Sequence, residues 1–238
     1  MNMEVLKQGE DVCCYDPRLV SDFSVDYFSP DFWQRHNAVT GQSHGRGVTW
    51  FVQHQEQHWV LRHYWRGGLI GRYIQDSFVF QKLNRCRSFA EFELLQQMVD
   101  DELPVPKPIA ARVKKRGLVY QSDILIERIP HAKDLVQILQ EQAIEPAVWQ
   151  RIGHVLAQFH QAGVYHADLN AHNILLDANE KVWVIDFDKG ALKHPGPWQM
   201  KNLARLQRSF QKEVGRHLSF HWQMEDWQTL LVAYQSYR

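Results

Sequence analysis

The chain has 238 residues and carries 27 lysines and arginines against 27 aspartates and glutamates, so its formal net charge is zero. That length allows one large domain or two small lobes, with enough apolar residues for a sizeable core. The balanced charge predicts no nucleic-acid partner and no bulk attraction to a membrane. Any recognition of charged groups must therefore come from local clusters.

Three cysteines, Cys13, Cys14 and Cys86, include no CxxC pair. An odd count with two adjacent members is typical of a reducing compartment rather than of a disulfide framework. The N-terminus lacks the basic start and apolar run of a signal peptide, and no window reaches the roughly 18 apolar residues of a transmembrane helix. The sequence thus predicts a cytosolic protein, or one that attaches peripherally to a membrane.

The chain up to about Pro130 predicts a β-rich half. A short helix is expected after Pro30, followed by three strands in VTGQSHGRGVTWFVQHQEQHWVLRHY, which are separated by a glycine turn and a polar turn. A helix is predicted over SFAEFELLQQMVD, because Ser88 suits an N-cap and Glu91 stands in capping-box position. Three prolines in ELPVPKP end that helix, and two more strands are predicted from IAARV and GLVYQSDILIERI.

The chain becomes mostly helical beyond the linker IPHAKD. Pro146 and Gly163 bound an amphipathic helix, PAVWQRIGHVLAQFHQAG. A hairpin is predicted from NILLD and VWVIDF around the turn ANEK. Terminal helices are predicted from WQMKNLARLQRSFQKEV and EDWQTLLVAYQSY.

A polar loop from Val164 to Asp177, VYHADLNAHNILLD, concentrates the chemistry. The hairpin is expected to place Asn173 and Asp186 at the same end, where an amide carbonyl and a carboxylate make an oxygen site suited to Mg²⁺. Asp168, close by, can accept the proton of an attacking hydroxyl. Each residue alone could equally cap a turn, but the combination indicates phosphoryl transfer.

The segment His166–Asn173, HADLNAHN, resembles the catalytic loop H-R-D-L-x-x-x-N of the protein-kinase superfamily. Ala167 replaces the arginine, as in many small-molecule and atypical kinases, which argues against regulation by a phosphorylated activation loop. The D-F-G motif corresponds to Asp186-Phe187-Asp188, with its glycine replaced. The resemblance implies that His166 supports the loop near Phe187 and is not the base.

The same resemblance predicts a phosphate cradle in SHGRGVTW, where Gly45 and Gly47 allow backbone N–H groups to approach phosphates. Trp50 replaces the third glycine of the family loop, and two glycines in a hairpin can also mean only a turn. Arg62 in WVLRHY stands where the family has its phosphate-binding lysine, and it supplies a positive fork. Lys82 remains the alternative cation.

The partner of Arg62 is expected to be Glu91 on the following helix, with Glu93 as the competitor and a capping box as the alternative role. The end of ILIERI, from Glu127 to Ile129, matches the hinge whose backbone binds adenine. For the acceptor, we expect Arg66 and Arg72 in the loop RHYWRGGLIGRYIQDSF to bind a carboxylate or phosphates. The alternative is a solvated loop whose arginines cover apolar surface.

The helix WQMKNLARLQRSFQKEV carries two predicted stripes. This surface could rest on an anionic membrane or bind lipid phosphates, or it could be a lobe helix with a buried apolar face and solvated charges. The apolar stripe comprises Met200, Leu203, Leu206, Phe210 and Val214, and the basic stripe comprises Lys201, Arg205, Arg208 and Lys212.

The succession VTGQSHGRGVTWF, VLRHYWRGGLIGRY, RSFAEFELL, YHADLNAHNILL, IDFDKG and WQMKNLARLQRS resembles the 3-deoxy-D-manno-octulosonic acid (Kdo) kinases, in the lipopolysaccharide-kinase branch of the superfamily, from about Ser29 onward. This implies an α+β, protein-kinase-like two-lobed fold: residues 1–130 form a β-rich nucleotide-binding lobe and residues 131–238 a compact, mostly helical catalytic lobe of a single kinase-like domain.

The resemblance also implies the reaction. ATP and Mg²⁺ would serve transfer of the γ-phosphate to the 4-hydroxyl of Kdo on a lipid A precursor, at the cytoplasmic face of the inner membrane. Asp168 would be the catalytic base, and Asn173 and Asp186 the metal ligands. A lipopolysaccharide heptose kinase and a nucleotide-binding pseudokinase or scaffold remain alternatives, and a metal site at His160, His166 and His172 is a weaker one.

Overall fold

The computed structural model describes residues 3–44, 47–66 and 76–237. The chain divides into two compact units. The first comprises Met1–Gln97 and Pro106–Arg128, and the second comprises Met98–Val105 and Ile129–Arg238. The second unit therefore takes a short segment from within the predicted N-terminal lobe. The assignment of nucleotide binding and catalysis to separate lobes stays a prediction.

Antiparallel strands build the first unit. In its described residues, eight strands form one sheet in the order β1-β2-β7-β8-β5-β4-β3, with β6 also paired to β8. The two predicted phosphate-loop glycines fall in the sequence between β3 and β4, where residues 45 and 46 lie outside the described ranges. The strands are β1 (Glu4–Gln8), β2 (Asp11–Tyr15), β3 (Val39–His44), β4 (Val48–His54), β5 (Gln57–His63), β6 (Phe78–Val79), β7 (Pro108–Arg116) and β8 (Val119–Glu127).

The helices of the first unit are α1 (Pro30–Arg35) and the greater part of α2 (Arg87–Asp100), with short 3-10 turns at Val25–Phe28 and Leu83–Arg85. An aromatic cluster packs against the sheet, with Trp33 of α1 and Trp59 of β5 fully buried at its centre. Burial of each such side chain stabilises the fold by about 1.5–3 kcal/mol. This core holds β4, which follows Gly47 in the chain, and β5, which carries Arg62.

The second unit is mainly helical, with small sheets that support its loops. Strands β11 and β12 form an antiparallel hairpin joined by β9, and β10 pairs with β13. The elements are β9 (Lys133–Asp134), α3 (Leu135–Glu141), α4 (Pro146–Gln161), β10 (Val164–Tyr165), β11 (Ile174–Leu176), β12 (Val182–Val184), β13 (Ala191–Leu192), α5 (Trp198–Val214) and α6 (Met224–Ser236), with a 3-10 turn at Ala171–Asn173.

The structure confirms most predicted elements and the α+β class. The helix predicted between Pro146 and Gly163 spans Pro146–Gln161, and Gly163 takes a left-handed φ of 74° just beyond its end. The hairpin around ANEK and both terminal helices are also present. The first two strands and α3 were not predicted, because exposed residues dominate β1 and no clear apolar alternation marks β2.

One local prediction is wrong. Ser88 does not cap α2, because the helix begins at Arg87 and the Ser88 hydroxyl instead donates to the Arg112 carbonyl at 2.9 Å. The apolar stripe of α5 divides between the two alternatives left open for it. Met200 and Val214 are 48% and 44% exposed, while the middle members of the stripe are buried.

All three cysteines are buried and free, in agreement with the prediction of no disulfide framework. Burial raises the pKa of the Cys13 thiol to about 12 and that of Cys86 to about 11, and it also raises the pKa of Cys14. The thiols are therefore protonated near neutral pH and are poor nucleophiles. Among the described residues, no helix is both long and apolar enough to cross a membrane.

Candidate active site

The loop between β10 and β11 is braced by its own polar groups. The carbonyl of Asp168 accepts hydrogen bonds from the side-chain amides of Asn170, at 2.8 Å, and Asn173, at 3.0 Å. Asn170 also accepts from the backbone N–H of His172 at 2.9 Å, which caps the short 3-10 turn. The backbone at Asp168 is thus fixed without using its carboxylate.

His166 supports this loop and does not act on a ligand. Its Nδ1 accepts from the N–H of Asp168 at 3.0 Å, and its Nε2 lies 2.9 Å from the carbonyl of Ile185, to which it must donate. Burial lowers the pKa of His166, which matches a neutral ring with both nitrogens engaged. The ring lies 4.7 Å from that of Phe187, as the sequence indicated.

Helix α5 holds the same loop from outside. The side-chain amide of Asn202 donates to the carbonyl of His166 at 2.9 Å and accepts from its N–H at 3.3 Å. The hydroxyl of Ser209 accepts from the N–H of Ala171 at 3.0 Å. Asn202 and Ser209 lie two turns apart on the same helix face, so one side of α5 fixes the loop at two points.

The carboxylate of Asp168 takes no part in these braces, which use its backbone, and its side chain is 47% exposed. Its Oδ1 accepts a hydrogen bond from Nη2 of Arg205 on α5. Among the described residues, no hydrogen bond reaches its Oδ2. A rigid backbone that presents a half-exposed carboxylate is what a base for a substrate hydroxyl requires.

The β11–β12 hairpin brings Asn173 and Asp186 together. Ile174 pairs with Val184, and the N–H of Ile185 donates to the carbonyl of Asn173 at 3.0 Å. Asp186 follows directly, with a left-handed φ of 63°. This conformation is costly for a non-glycine residue and clusters at functional sites. The hairpin register thus brings the backbones of the two residues together, and the proximity of their side chains stays a prediction.

The donor set at the hairpin end fits Mg²⁺. The Asn173 amide nitrogen is committed to the Asp168 carbonyl, and its oxygen accepts no hydrogen bond within the described part of the chain. One such oxygen and the partly exposed carboxylate of Asp186 are hard ligands, and Mg²⁺ is usually held by few protein groups together with phosphates and water. The described residues contain no cluster of three or more His, Cys, Asp or Glu suited to a metal.

In the first unit, Arg62 of β5 forms an ion pair with Glu91 of α2. Its Nη2 donates to both carboxylate oxygens at 2.6 and 2.5 Å, and the hydroxyl of Tyr64 donates to Glu91 at 2.5 Å. The side chain of Glu91 is only 1% exposed. Glu91 therefore serves Arg62 and not a capping box, as the kinase resemblance implied.

Gly47 directly precedes β4 and lies against the indole of Trp65. A Cβ at Gly47 would overlap Nε1 of Trp65, so a larger residue would displace that ring. Packing against Trp65 thus favours glycine here, whatever its role toward phosphates. Gly45, the other predicted cradle residue, lies outside the described residues, as does Arg72.

The predicted hinge residues lie at the end of β8. The N–H of Glu127 donates to the Lys107 carbonyl at 2.8 Å, so a base could use only the carbonyl of that residue. Ile129 follows and is buried. The guanidinium of Arg66 lies 5.3 Å from the centre of the Phe78 ring. This contact fits the alternative role of covering apolar surface, and the role of Arg66 toward the acceptor stays a prediction.

The prediction of a metal site at His160, His166 and His172 is wrong, since the described residues contain no such group. His160 is buried against the hydroxyl of Tyr234, at 2.8 Å, and His166 is engaged within the catalytic loop. His172 is 53% exposed and lies 3.6 Å from Asp134. The three rings therefore have separate partners.

Sequence reasoning missed Tyr64 and Asn202, and it assigned Arg205 only to a basic stripe. Tyr64 could have been found, because it follows Arg62 by two residues and thus shares its strand face. Asn202 and Arg205 carry no local signal for contact with the catalytic loop, which lies much earlier in the chain.

Two features define a kinase-like phosphotransferase. One is the β-rich unit, in which a strand arginine pairs with a helix glutamate, and the other is the loop and hairpin of the second unit. A family model described as the lipopolysaccharide kinase (Kdo/WaaP) family matches residues 30–234. The chain belongs to this family, whose reaction is phosphoryl transfer at the expense of ATP. The predicted resemblance is thereby confirmed.

Curated relatives match this sequence over nearly its full length. The chain is 46% identical over 228 residues to a protein of Vibrio vulnificus (strain YJ016) named 3-deoxy-D-manno-octulosonic acid kinase, with 96% of each chain covered. It is 46% identical over 211 residues to a protein of that name from Vibrio cholerae, with 89% of each covered. A third of that name, from Haemophilus influenzae (strain PittEE), is 44% identical over 219 residues, with 89% of this chain and 90% of the relative covered.

Proposed function

We propose that the protein transfers the γ-phosphoryl group of ATP to the 4-hydroxyl of the Kdo residue on a lipid A precursor, in lipopolysaccharide inner-core biosynthesis. The observation that carries this proposal is the half-exposed carboxylate of Asp168, on a backbone that also fixes Asn173. The family membership supports the reaction class, and the names of the relatives support the acceptor.

The groups proposed to bind the phosphates of ATP belong to the first unit. Arg62, oriented by Glu91, supplies a positive charge to the phosphates. Gly45 and Gly47 let the backbone approach them. Adenine would be bound at the hinge by the Glu127 carbonyl and the backbone of Ile129, at the end of β8.

The catalytic step is assigned to the second unit. Asp168 orients the acceptor hydroxyl and takes its proton as the hydroxyl oxygen bonds to the γ-phosphorus. The bond from that phosphorus to the bridging oxygen breaks, and ADP leaves with the electron pair. Asn173 and Asp186 would hold Mg²⁺, which when bound neutralises charge on the phosphates.

Acceptor binding is proposed for Arg66 and Arg72, toward the Kdo carboxylate or lipid phosphates. The acceptor is a lipid, so the enzyme would work peripherally at the cytoplasmic face of the inner membrane, with no nucleic-acid partner. Exposed Met200 and Val214 beside the basic residues of α5 support contact with a membrane surface.

The alternatives have less support. A heptose acceptor would require the same catalytic residues, but the relatives described above carry the Kdo kinase name. A pseudokinase was favoured by the missing strand lysine and by Asp188 in place of the D-F-G glycine. In the structure, Arg62 makes the ion pair expected of that lysine, and Asp168, Asn173 and Asp186 are all present.

The deciding experiment measures transfer from radiolabelled ATP with Mg²⁺ to a Kdo-bearing lipid A precursor, beside the same precursor without Kdo. We expect label only on the Kdo-bearing lipid, at a hydroxyl that can then be mapped. Label on a heptose-bearing acceptor alone would support the heptose kinase. Bound ATP with no transfer to any acceptor would support the pseudokinase.

A further inference from the structure

An exposed basic stripe on α5 runs beside the catalytic loop. The members recur at spacings of three and four residues and so lie on one helix face. Lys201, Arg208 and Lys212 form no ion pair with any described residue, which leaves their charge for a partner. The stripe comprises Lys201, Arg205, Arg208 and Lys212, and all four residues are exposed.

Arg205 is the member of this basic stripe that reaches the loop. Its Nη2 donates to Oδ1 of Asp168, and both side chains remain about half exposed, at 49% and 47%. The anchors at Asn202 and Ser209 fix α5 against the loop on either side of Arg205. The guanidinium therefore starts from a defined position, and solvent or a ligand can still reach it.

The proposed acceptor is a sugar acid, and its carboxylate is a suitable ligand for Arg205. A sugar acid brings a carboxylate close to Asp168, which is itself a carboxylate, and like charges oppose that approach. A guanidinium fork binds a carboxylate with two parallel hydrogen bonds. The proposed phosphate-binding groups lie on other elements, so Arg205 is the cation that contacts the base.

We propose that Arg205 binds the carboxylate of the acceptor sugar and exchanges its contact with Asp168 for one with the substrate. Of the two ligands proposed above for Arg66 and Arg72, the lipid phosphates then remain. The exchange relieves the charge repulsion and frees Oδ1 of Asp168 for the sugar hydroxyl. An acceptor without a carboxylate leaves the Arg205–Asp168 contact in place. Arg205 would thus determine specificity for an acidic sugar; this inference rests on the function proposed above.

The test crosses an enzyme change with an acceptor change. Wild type, Arg205→Ala and Arg205→Lys are assayed for kcat/KM with the Kdo-bearing lipid A precursor and with the same lipid after methyl esterification of the Kdo carboxyl. We expect wild type to prefer the free acid by about ten- to a hundredfold, the span of one lost charge-assisted contact. The preference should fall to near one in Arg205→Ala and be intermediate in Arg205→Lys.

Arg151→Ala is the matched control. Arg151 lies in the same unit and forms a similarly exposed pair with Glu180, with side chains 43% and 60% exposed. It should keep the wild-type preference for the free acid. Circular dichroism and melting curves establish whether each variant is folded. If Arg205→Ala does not fold, the comparison is made with Arg205→Lys.

The outcomes separate the two proposals. If the preference for the free acid over the methyl ester persists in Arg205→Ala, the role of Arg205 is overturned while the kinase function stands. The same holds if wild type shows no such preference. A rise in the KM for ATP in Arg205→Ala, with the acceptor preference intact, assigns the guanidinium to the phosphates and also overturns it. Failure of wild type to phosphorylate the free-acid acceptor overturns the proposed function itself.

Discussion

Each unit carries one arginine–carboxylate pair among the residues proposed for catalysis, and the two pairs differ in exposure. In the first unit, the side chain of Glu91 is 1% exposed and that of Arg62 is 21% exposed. In the second, Arg205 and Asp168 are both about half exposed. Removal of one partner leaves an uncompensated charge in the buried pair, whereas water replaces a lost partner in the exposed pair.

This difference suits different tasks. A buried pair holds one geometry, as a group that positions a nucleotide should, and Tyr64 fixes the carboxylate further. An exposed pair opens at little cost, which a proton acceptor must do in each turnover. The following changes test this contrast, beginning with the largest expected effect.

Asp168→Ala should reduce phosphoryl transfer by about 10²–10⁴-fold, because the substrate hydroxyl loses its base. Stability should change little, since the loop is braced through the backbone and not through this carboxylate. The measurements are kcat, the melting temperature and the affinity for ATP. A variant that fails to fold would show that the side chain is structural, contrary to the role assigned here.

Arg62→Ala should lower the free energy of unfolding by about 3–5 kcal/mol, because it removes the cation that compensates the buried Glu91 carboxylate. Arg62→Lys keeps the charge and should cost less, while Arg205→Ala should cost no more than about 1 kcal/mol. Denaturant titration of the three variants provides the comparison. Equal losses for Arg62→Ala and Arg205→Ala would show that exposure does not separate the two pairs.

The sequence predicted the parts of the site that local rules determine. The antiparallel hairpin alone requires that Asn173 and Asp186 lie at one end, and the register of β11 and β12 agrees. Glu91 was identified through the kinase resemblance, which places the partner of Arg62 on the helix after β5. In the hairpin, chain order and strand pairing were enough to define the neighbours.

The parts that were missed depend on packing between distant segments. The periodicity of α5 predicts its faces but not that Asn202 and Arg205 contact a loop much earlier in the chain. Likewise, the pattern placed Met200 and Val214 in one apolar stripe with buried residues, but both lie near the helix ends and are exposed. A one-dimensional pattern cannot supply either fact.

Gly47→Ala should destabilise the first unit by about 1–3 kcal/mol, the usual cost of overpacking, because its Cβ would displace Trp65. ATP affinity should fall as well if this turn cradles phosphates. The measurement is a double-mutant cycle with Trp65→Ala, in which the new methyl group has space. An undiminished cost in the Trp65→Ala background would place the constraint elsewhere than in this contact.

The smallest expected effect is on the pH dependence of stability, to which one histidine in each unit contributes with opposite sign. Burial tends to lower the pKa of His63, but its hydrogen bond to Asp123 and the charge of Asp76 outweigh burial and raise it. Burial lowers the pKa of His166 despite the nearby carboxylates of Asp168 and Asp186. An unfolded histidine titrates near 6.5.

Protonation therefore stabilises the fold at His63 and opposes it at His166. The His63 contribution is present below about pH 6.5 and is lost as the pH rises through its raised folded pKa. The His166 contribution is present above about pH 6.5 and is lost as the pH falls through its lowered folded pKa. NMR titration of the imidazole signals, assigned with His63→Gln and His166→Gln, should give midpoints on opposite sides of about 6.5. Midpoints on the same side would mean that the ion network around His63, or the two hydrogen bonds of His166, does not govern the protonation of that ring.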